Sequence, residues 1–362
     1  MAFIEEWLSL RASKILPYLA KEHEIHYIAS GVDIPQADFA SVKLFKFPRY
    51  QQQNSLHIAR AAQALFRRNV IDFVVDYSYM GWALQKVPFV EIVGGLYHND
   101  FLPKWRAASW LSRPRMSLGY LHYCLPEHIC IKRAGQIVTD NLVNAETMHK
   151  KFGKPLERIA VIPNGVDEAF SALYTAKDFS RPVLLFVGNL HPGKGILLVL
   201  QRFSECKHLD VPFVVCGDGP DRAAIEALAK QDSRISYRGR VSHEELIEIE
   251  KGTTIFVFPS LAEGCPNALL EAMASGHACI TYDVDTVQLV VKDTGLEAQA
   301  NNVNQVMNLI LKLMQNRSLL QSKAAAAHDE SRNYSWSGCA LQFGKIINLF
   351  CAEHPATLVN VK

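Results

Sequence analysis

The chain has 362 residues, 49% of them hydrophobic and 20% charged, which suits two domains with substantial cores and excludes a disordered tail or a collagen-like rod. Its 38 Lys and Arg residues nearly balance 36 Asp and Glu residues, leaving a formal net charge of +2. Because this charge gives no chain-wide field, we expect no nucleic-acid partner and only a local phosphate site.

The cysteines and the apolar runs indicate the compartment. None of the eight cysteines belongs to a Cys-x-x-Cys pair or shows metal-ligand spacing, which favours a reducing cytoplasm and predicts no metal site. No apolar run approaches the roughly 18 residues that a membrane-spanning helix needs, and the first residues do not have the pattern of a signal peptide. The sequence therefore predicts a cytoplasmic protein.

The first predicted element is a helix over residues 3–20. Its apolar residues recur with the spacing of one buried helix face, at Ile4, Leu8, Ala12, Ile15 and Leu19. A doubly wound α/β domain normally opens with a strand. We therefore expect the first strand of this domain to be missing, through truncation or a misassigned start.

Short β-rich runs then alternate with helix-length amphipathic segments, a rhythm typical of parallel βαβ units. The turn cluster Pro163-Asn164-Gly165 divides them into two series. The predicted strands are residues 25–29, 73–75, 87–93, 136–139 and 159–162, then 183–187, 213–216, 235–238, 254–258 and 278–282. The chain is thus predicted to be α/β with two Rossmann-like domains, residues 1–165 and 166–337. For a final amphipathic helix within residues 338–362 we consider packing on the first domain, although periodicity leaves the receiving domain open.

Residues 258–276 are the most informative stretch, because they combine Glu263 in a loop with Glu271 in a predicted helix. Pro266 suits a first helical turn and Gly276 a helix stop. This places both carboxylates near the carboxyl end of a parallel sheet, where ligands of open α/β folds bind. Glu271 lies among small apolar residues, where a charge is costly to bury unless a ligand or partner satisfies it. We therefore favour hydroxyl-binding carboxylates over two solvated surface charges.

This Glu-x7-Glu segment resembles the signature of retaining glycosyltransferases of family 4, which have the GT-B fold of two Rossmann-like domains facing across a cleft. Other segments are similar to family motifs in order and spacing: residues 162–167, residues 186–190 followed by Lys194-Gly195, residues 216–220 and residues 238–242. The resemblance covers residues 130–340 well and the first 130 residues loosely.

The resemblance implies a retaining, metal-independent hexosyltransferase of polysaccharide, lipopolysaccharide or glycolipid biosynthesis. A UDP- or GDP-linked nucleotide-sugar would bind as a substrate in domain 166–337, a glycan or lipid-linked acceptor would bind in domain 1–165, and no cofactor would be needed. Lys194 would neutralise the diphosphate, Glu263 would hold the donor sugar, and Glu271 would bind the ribose. Lys194 and Glu263 are the implied catalytic residues, and the implied donor-binding residues are Gly188, Asn189, Lys194, Gly217, Arg240, Glu263, Gly264, Cys265, Pro266, Asn267 and Glu271.

The chain also departs from the family pattern. Asn189 stands where members often have an arginine, so we consider Arg240 as a second cation for the diphosphate. The usual histidine after the strand at residues 87–93 is absent, and His98 is the acceptor-side candidate to replace it, with a solvated loop histidine as the alternative. Together with the missing first strand, these departures keep a second hypothesis open, a non-catalytic or truncated GT-B protein that binds nucleotide-sugars without transferring them.

Two nucleotide-binding motifs are imitated but incomplete. Residues 188–195 nearly form a P-loop, but Gly195 replaces the hydroxyl residue that would hold magnesium. Residues 216–220 start like a dinucleotide fingerprint, but the third glycine is missing and Pro220 interrupts the run. Both patterns therefore argue against an NTPase and an NAD enzyme.

Basic and aromatic residues are mixed within residues 104–115: Lys104, Trp105, Arg106, Trp110, Arg113 and Arg115. This composition suits an anionic bilayer or a lipid-linked acceptor. The alternative is a surface loop of ordinary charge. A peripheral contact with the inner face of the plasma membrane is therefore one of two open interpretations.

Overall fold

The computed structural model of the protein describes residues 1–5, 10–30, 42–47, 54–77, 79–97 and 123–354. The chain divides into two compact units, one formed by Met1–Pro163 with Trp336–Lys362 and one formed by Asn164–Ser335. No helix in these ranges is long and apolar enough to cross a membrane.

The described part of the first unit is built on a parallel sheet of seven strands in the order β3-β2-β1-β4-β5-β6-β7. The strands are β1 (Ala2–Glu5), β2 (Ile25–Ser30), β3 (Val42–Phe47), β4 (Val74–Asp76), β5 (Phe89–Val93), β6 (Gln136–Thr139) and β7 (Ile159–Val161). The helices are α1 (Leu10–Leu19), α2 (Asn54–Arg67), α3 (Leu125–Arg133) and α4 (Leu142–Phe152).

The first strand is present, and the expectation that it is missing is wrong. Ala2–Glu5 forms β1, which pairs in parallel with β2 and with β4 near the middle of the sheet. Helix α1 begins only at Leu10. The apolar run at residues 2–4 is compatible with the two-residue period of a strand and with the 3.6-residue period of a helix. So short a run cannot distinguish the two structures.

Helices cover both faces of this sheet. The last helix of the chain, Trp336–Glu353, belongs to the first unit and buries Phe343 and Ile347 on the same face as Ile15 of α1. Helix α2 covers the other face through Ile58 and Ala62. Parallel strands are thus buried on both sides, which explains their near-continuous apolar sequences.

The second unit has a parallel sheet of six strands in the order β10-β9-β8-β11-β12-β13. Its strands are β8 (Leu184–Val187), β9 (Phe213–Cys216), β10 (Ile235–Gly239), β11 (Ile255–Phe258), β12 (Ala278–Tyr282) and β13 (Leu296–Ala298). Its α-helices are α5 (Glu168–Ser171), α6 (Ile196–Glu205), α7 (Arg222–Gln231), α8 (His243–Lys251), α9 (Asn267–Ala274), α10 (Asp285–Val291), α11 (Val303–Gln315) and α12 (Arg317–Ser331), and the helix at Trp336–Glu353 is α13.

Both sheets reverse their strand order at one point. In the second unit, β9 and β10 extend the sheet on one side of β8 and β11 begins the other side. The connections that leave neighbouring β8 and β11 therefore diverge at the carboxyl edge, and ligands of open α/β sheets bind in such a crevice. In the first unit the corresponding point lies between β1 and β4.

The opposite, amino edge of the second sheet holds a buried polar network. The Ser275 hydroxyl donates to Glu250 Oε2 at 2.5 Å, and the His277 ring lies 2.8 Å from the Thr253 hydroxyl. Burial raises the pKa of Glu250 and lowers the pKa of nearby Lys177. Thr253 and His277 come just before strands β11 and β12, so this network lies away from the carboxyl edge. We therefore assign it a structural role.

Candidate functional site

Glycines bring the loops after β8 and β9 into backbone contact. A Cβ atom on Gly217, whose φ is +139°, would lie 1.8 Å from the carbonyl oxygen of Gly188. Gly219 has φ +155°, and its Cβ would lie 2.5 Å from the carbonyl oxygen of Leu190. The Leu190 N–H also donates to the carbonyl of Asp218 at 2.9 Å. Only glycine fits at positions 217 and 219. The predicted Gly217 thus allows its loop to approach the carbonyl of the predicted Gly188 at this part of the carboxyl edge.

The loops after β8 and β11 are joined in the same way. Gly195 has φ +69°, and a Cβ there would lie 2.3 Å from the carbonyl oxygen of Pro259. The Leu261 N–H donates to the carbonyl of Gly193 at 2.9 Å. Lys194 ends the short 3₁₀ helix Pro192–Lys194 between these contacts, and its position at the reversal point is thereby fixed.

Lys194 and Glu263 form an ion pair at this point. The Lys194 Nζ lies 2.5 Å from Glu263 Oε1, and the side chains are 28% and 10% exposed. The same Nζ lies 5.9 Å from the centre of the Phe258 ring. The lysine is thus a partly exposed cation held over the ends of β8 and β11, where it can meet an anionic ligand.

Helix α9 follows the loop that carries Glu263 and begins without a side-chain cap, because its N-cap residue is Pro266. The first N–H groups of a helix have no acceptor within the helix and attract anions or hydroxyl oxygens. Glu271 is half-buried and lies four residues after Asn267, so the two share a face of α9. The next residues of that helix, including Ala272, are buried against the core.

Asn164 supports the loop before α9, although the sequence singled it out only as part of a turn motif. Its Nδ2 donates to Asn267 Oδ1 at 2.9 Å and to the carbonyl of Cys265 at 3.5 Å, and its N–H donates to Cys265 Sγ at 3.4 Å. The Pro-Asn-Gly cluster predicts a turn here, but no local pattern signals these contacts, because they join segments about a hundred positions apart.

For Arg240 and Asn189 no contact with the Lys194–Glu263 ion pair is found among the described residues. Arg240 is exposed after edge strand β10, which β9 separates from β8, and no bond to another residue of the described chain is found for it. Asn189 is exposed. His98 and residues 104–115 lie outside the described residues.

The first unit has a polar cluster at its carboxyl edge that sequence reasoning missed. Arg11 of α1 is only 2% exposed and donates through Nη2 to the carbonyl of Ile162, while its Nε and Nη1 have no partner in the described chain. Asp140 follows β6 and is buried. Burial raises its pKa to about 6, against the opposing charge of Arg11. The available signal was a carboxylate directly after a predicted strand, the rule already applied to Glu263.

Gly94, Tyr77 and Asn144 also belong to this cluster. A Cβ on Gly94, after β5, would lie 3.8 Å from Asp140 Oδ2 and 3.6 Å from the Tyr77 hydroxyl. The Asn144 side chain acts as a hydrogen-bond donor to the Asp140 carboxylate and lowers its pKa, against the larger effect of burial. The Nε and Nη1 groups of Arg11 are buried donors that have no partner among the described residues. Such donors are costly unless a ligand or water satisfies them, which makes the cluster a candidate binding site for polar groups.

Asp76, Glu91 and Cys130 form a second buried group in the first unit, and their ligand atoms lie within 4.8 Å of one another. Each already accepts a backbone N–H: Tyr79 donates to Glu91 at 3.3 Å, Trp82 donates to Cys130 Sγ at 3.1 Å, and Gly81 donates to Asp76. Burial and the neighbouring Asp76 raise the pKa of Glu91 well above its usual range. We therefore assign the group to holding the loop after β4.

Comparison with protein families gives two matches that together span most of the chain. Residues 12–170 match the model described as Glycosyltransferase Family 4, and residues 181–316 match Glycosyl transferases group 1. The first match lies mainly in the first unit and the second lies within the second unit.

Individual proteins agree with this result. EpsF of Bacillus subtilis, which carries a glycosyltransferase name, is 34% identical over 276 residues, covering 70% of this chain and 68% of EpsF. The O-antigen chain mannosyltransferase B of Escherichia coli is 25% identical over 245 residues, covering 63% of this chain and 64% of that protein. The chain spans between about half and two thirds of the length of the curated relatives it matches.

A solved structure shows the same fold over almost the whole chain. HepE of Anabaena, solved with UDP-glucose, superposes with a TM-score of 0.70 at 12% identity, covering 96% of this chain and 99% of HepE. At so low an identity, the superposition shows only that the fold is the same. The family models and EpsF show that the chain is related to glycosyltransferases. The chain therefore belongs to the GT-B glycosyltransferases of the family 4 type.

Proposed function

We propose that the chain is a retaining glycosyltransferase that moves a sugar from a UDP- or GDP-linked donor, bound by the second unit, to a hydroxyl of an acceptor, bound by the first unit. The observation that carries the proposal is the Lys194–Glu263 ion pair at the reversal point of the second sheet. Ligands of such sheets bind at this point, and the family match supports a sugar donor there.

The donor's diphosphate is proposed to bind at Lys194. A partly exposed ammonium group and the uncapped start of α9 both favour negative charge. Glu271, on the face of α9 that also carries Asn267, accepts hydrogen bonds from the ribose. HepE is described with UDP-glucose, which supports UDP as the first nucleotide to test.

Transfer is proposed to proceed on one face of the donor sugar. The acceptor oxygen bonds to the anomeric carbon on the side from which the diphosphate leaves, so the configuration is retained. The bond between that carbon and the phosphate oxygen breaks, and the proton of the acceptor hydroxyl passes to the departing phosphate. Lys194 stabilises the charge that grows on this phosphate, and Glu263 orients the lysine and binds the sugar.

The acceptor is proposed to bind at the polar carboxyl edge of the first unit. Arg11, whose Nε and Nη1 groups have no partner in the part of the chain that the structure describes, and the carboxylate of Asp140 can take up the polar groups of a glycan. The relative that acts on the O-antigen chain supports a glycan or lipid-linked glycan as the acceptor class. Contact with a membrane through residues 104–115 stays a prediction.

The alternative is a protein that binds nucleotide-sugars without transferring them. One of the observations that favoured it, the missing first strand, no longer holds. The first strand on which the truncation argument depended is in place as β1. The absence of an arginine at Asn189 remains, so Lys194 is proposed as the main cation of the site.

The test combines binding with turnover. Calorimetric titration with UDP, GDP, ADP and their common sugar conjugates should reveal one nucleotide class, and its affinity should fall in Glu271→Ala but not in Glu248→Ala, an exposed glutamate of α8. Proton NMR of the product formed from the matching nucleotide-sugar reports the anomeric configuration. Binding without any transfer to a panel of glycan acceptors would favour the alternative, and an inverted product would refute the proposed course.

A further inference from the structure

The first unit carries an arginine-rich groove that the proposed reaction does not use. Its volume is about 760 Å³, and its lining includes Arg60, Arg67, Arg68 and Arg133 together with Trp82, but no aspartate or glutamate. The whole chain has a net charge of only +2. This concentration of cations is therefore a local feature and not a consequence of a basic protein.

Helix α2 forms one wall of the groove through its own periodicity. Arg60, Gln63 and Arg67 lie at i, i+3 and i+7, and all three line the groove, so they share one face of the helix. Ile58 and Ala62 are buried on the opposite side against the core. Burial of that apolar face turns the arginines outward into the groove.

The other wall comes from the short 3₁₀ helix Gly81–Ala83 and the end of α3. Arg133 donates through Nη1 to the carbonyl of Trp82 at 2.9 Å and through Nη2 to the carbonyl of Leu84. The Gln85 N–H donates to the side chain of Gln63 on α2 at 2.7 Å, which joins the walls. The Arg133 guanidinium is thus fixed in this wall. Trp82, which is 38% exposed, presents its amphipathic indole ring in the same wall.

Within the described part of the chain, the positive charges that line the groove are not balanced by carboxylates in its lining. Among the described residues Arg60, Arg67 and Arg68 form no ion pair. Like charges held together are unfavourable, and a concave surface of one sign focuses its field and draws in counterions. Guanidinium groups match phosphate oxygens with paired hydrogen bonds and are preferred wherever phosphate is recognised.

We propose that this groove is a binding site for a phosphate group, carried either by a soluble phosphorylated compound or by an anionic phospholipid headgroup. The position of the groove in the first unit supports a role other than sugar transfer. Arg67 and Arg68 come shortly before β4 and Arg133 comes shortly before β6, so the groove lies toward the amino edge of the sheet. Arg11 and Asp140 lie at the carboxyl edge.

The test uses the full chain with Lys194→Ala in every sample, so that phosphate binding at the donor site does not contribute. Arg60→Gln/Arg67→Gln removes two groove charges, and Arg181→Gln/Arg317→Gln removes two exposed charges of the second unit as a matched control. One arm titrates inorganic phosphate and pyrophosphate by calorimetry. The other measures co-sedimentation with phosphatidylglycerol–phosphatidylcholine vesicles and with vesicles of phosphatidylcholine alone.

We expect binding in at least one arm, weakened about tenfold or more in the groove variant and unchanged in the control, since each basic residue adds about a factor of five at an anionic surface. Binding of the soluble anions identifies a soluble ligand, and binding of only the anionic vesicles identifies a phospholipid. Thermal unfolding verifies that the variants fold, and Arg68→Gln, beyond the end of α2, replaces the double variant if that one does not. No binding in either arm, or equal loss in the control, overturns the proposal.

Discussion

Lys194 Nζ lies 2.5 Å from Glu263 Oε1, although the two residues are 69 positions apart and follow different strands. They meet because β8 and β11 are neighbours in the sheet and both connections pass the carboxyl edge. Without a ligand the carboxylate neutralises the lysine. A bound diphosphate offers the same lysine a second anionic partner, so Glu263 and the donor compete for one cation.

This competition predicts opposite effects of Glu263→Gln on binding and on turnover. Removing the carboxylate charge should tighten UDP binding about twofold to fivefold, corresponding to at most about 1 kcal/mol for a partly exposed ion pair. Transfer from the nucleotide-sugar should slow about tenfold to a hundredfold, because the sugar and the lysine lose a charged hydrogen-bond partner. Calorimetry and initial-rate kinetics measure the two effects.

Lys194→Met is the matched comparison, since it removes the cation and keeps the length of the side chain. It should weaken UDP binding and also lower the rate of transfer. If Glu263→Gln weakened UDP binding as much as Lys194→Met, the two residues would be cooperating on the diphosphate and the competition would be disproved.

Glu271→Ala should distinguish binding of the ribose from binding of the diphosphate. We expect UDP affinity to fall about tenfold to a hundredfold, the value of charged hydrogen bonds of roughly 1.5–3 kcal/mol. Pyrophosphate, which has no ribose, should bind the variant and the wild type alike in competition calorimetry. A matching loss for pyrophosphate would show that Glu271 acts through the loop or the diphosphate and would exclude the ribose role.

Much of the second unit could be predicted from the sequence because its motifs are local. Gly188, Lys194 and Gly217 lie where strand ends meet turn glycines, and parallel strands place such loops at one edge. The spacing of Glu263 and Glu271 also places the second carboxylate inside α9. The contact of Asn164 with Asn267 was not predictable, because it joins segments about a hundred positions apart.

The first unit was less predictable for a physical reason. A short apolar run such as residues 2–4 has no period that separates strand from helix, so β1 was missed. Strand β3 of this unit was missed too, and so was β13 of the second unit, which is only three residues long. The site at Arg11 depends on which helix packs over which strand end, so tertiary packing and not local sequence brings it close to Asp140.

Gly217→Ala tests the close approach of the loops after β8 and β9. A Cβ there would lie 1.8 Å from a backbone oxygen at φ +139°, so the loops must move apart. We expect a loss of about 2–4 kcal/mol in the free energy of unfolding and a loss of UDP affinity. Urea unfolding and calorimetry measure both.

Gly252→Ala is the control for this change. Gly252 has φ −88°, and the nearest atom to an added Cβ is 3.7 Å away, so stability and UDP binding should stay near those of the wild type. Equal effects of the two substitutions would mean that glycine is not required at Gly217 by the packing of the loops.

The raised pKa of Asp140 should make the free energy of unfolding depend on pH, and the direction of this dependence can be predicted. Burial raises its pKa from the ordinary 3.8 to about 6, so between these pH values the folded protein holds a proton that the unfolded chain has released. The contribution of Asp140 to the stability of the wild type should therefore fall as the pH rises from about 4 to about 6 and stay lower above that. Asp140→Asn carries no charge, so at pH 7 it should be more stable than the wild type, by at most about 3 kcal/mol.

Urea unfolding of wild type and Asp140→Asn from pH 4 to pH 8 measures this difference, with the exposed Asp210→Asn as the control that should show none. If Asp140 binds the acceptor, the same substitution should raise the KM for the acceptor and leave UDP affinity unchanged. The expected gain in stability excludes unfolding as the cause of lost transfer. A variant that is less stable at pH 7, or that loses UDP binding, would show that Asp140 holds the fold of the first unit and does not serve the acceptor.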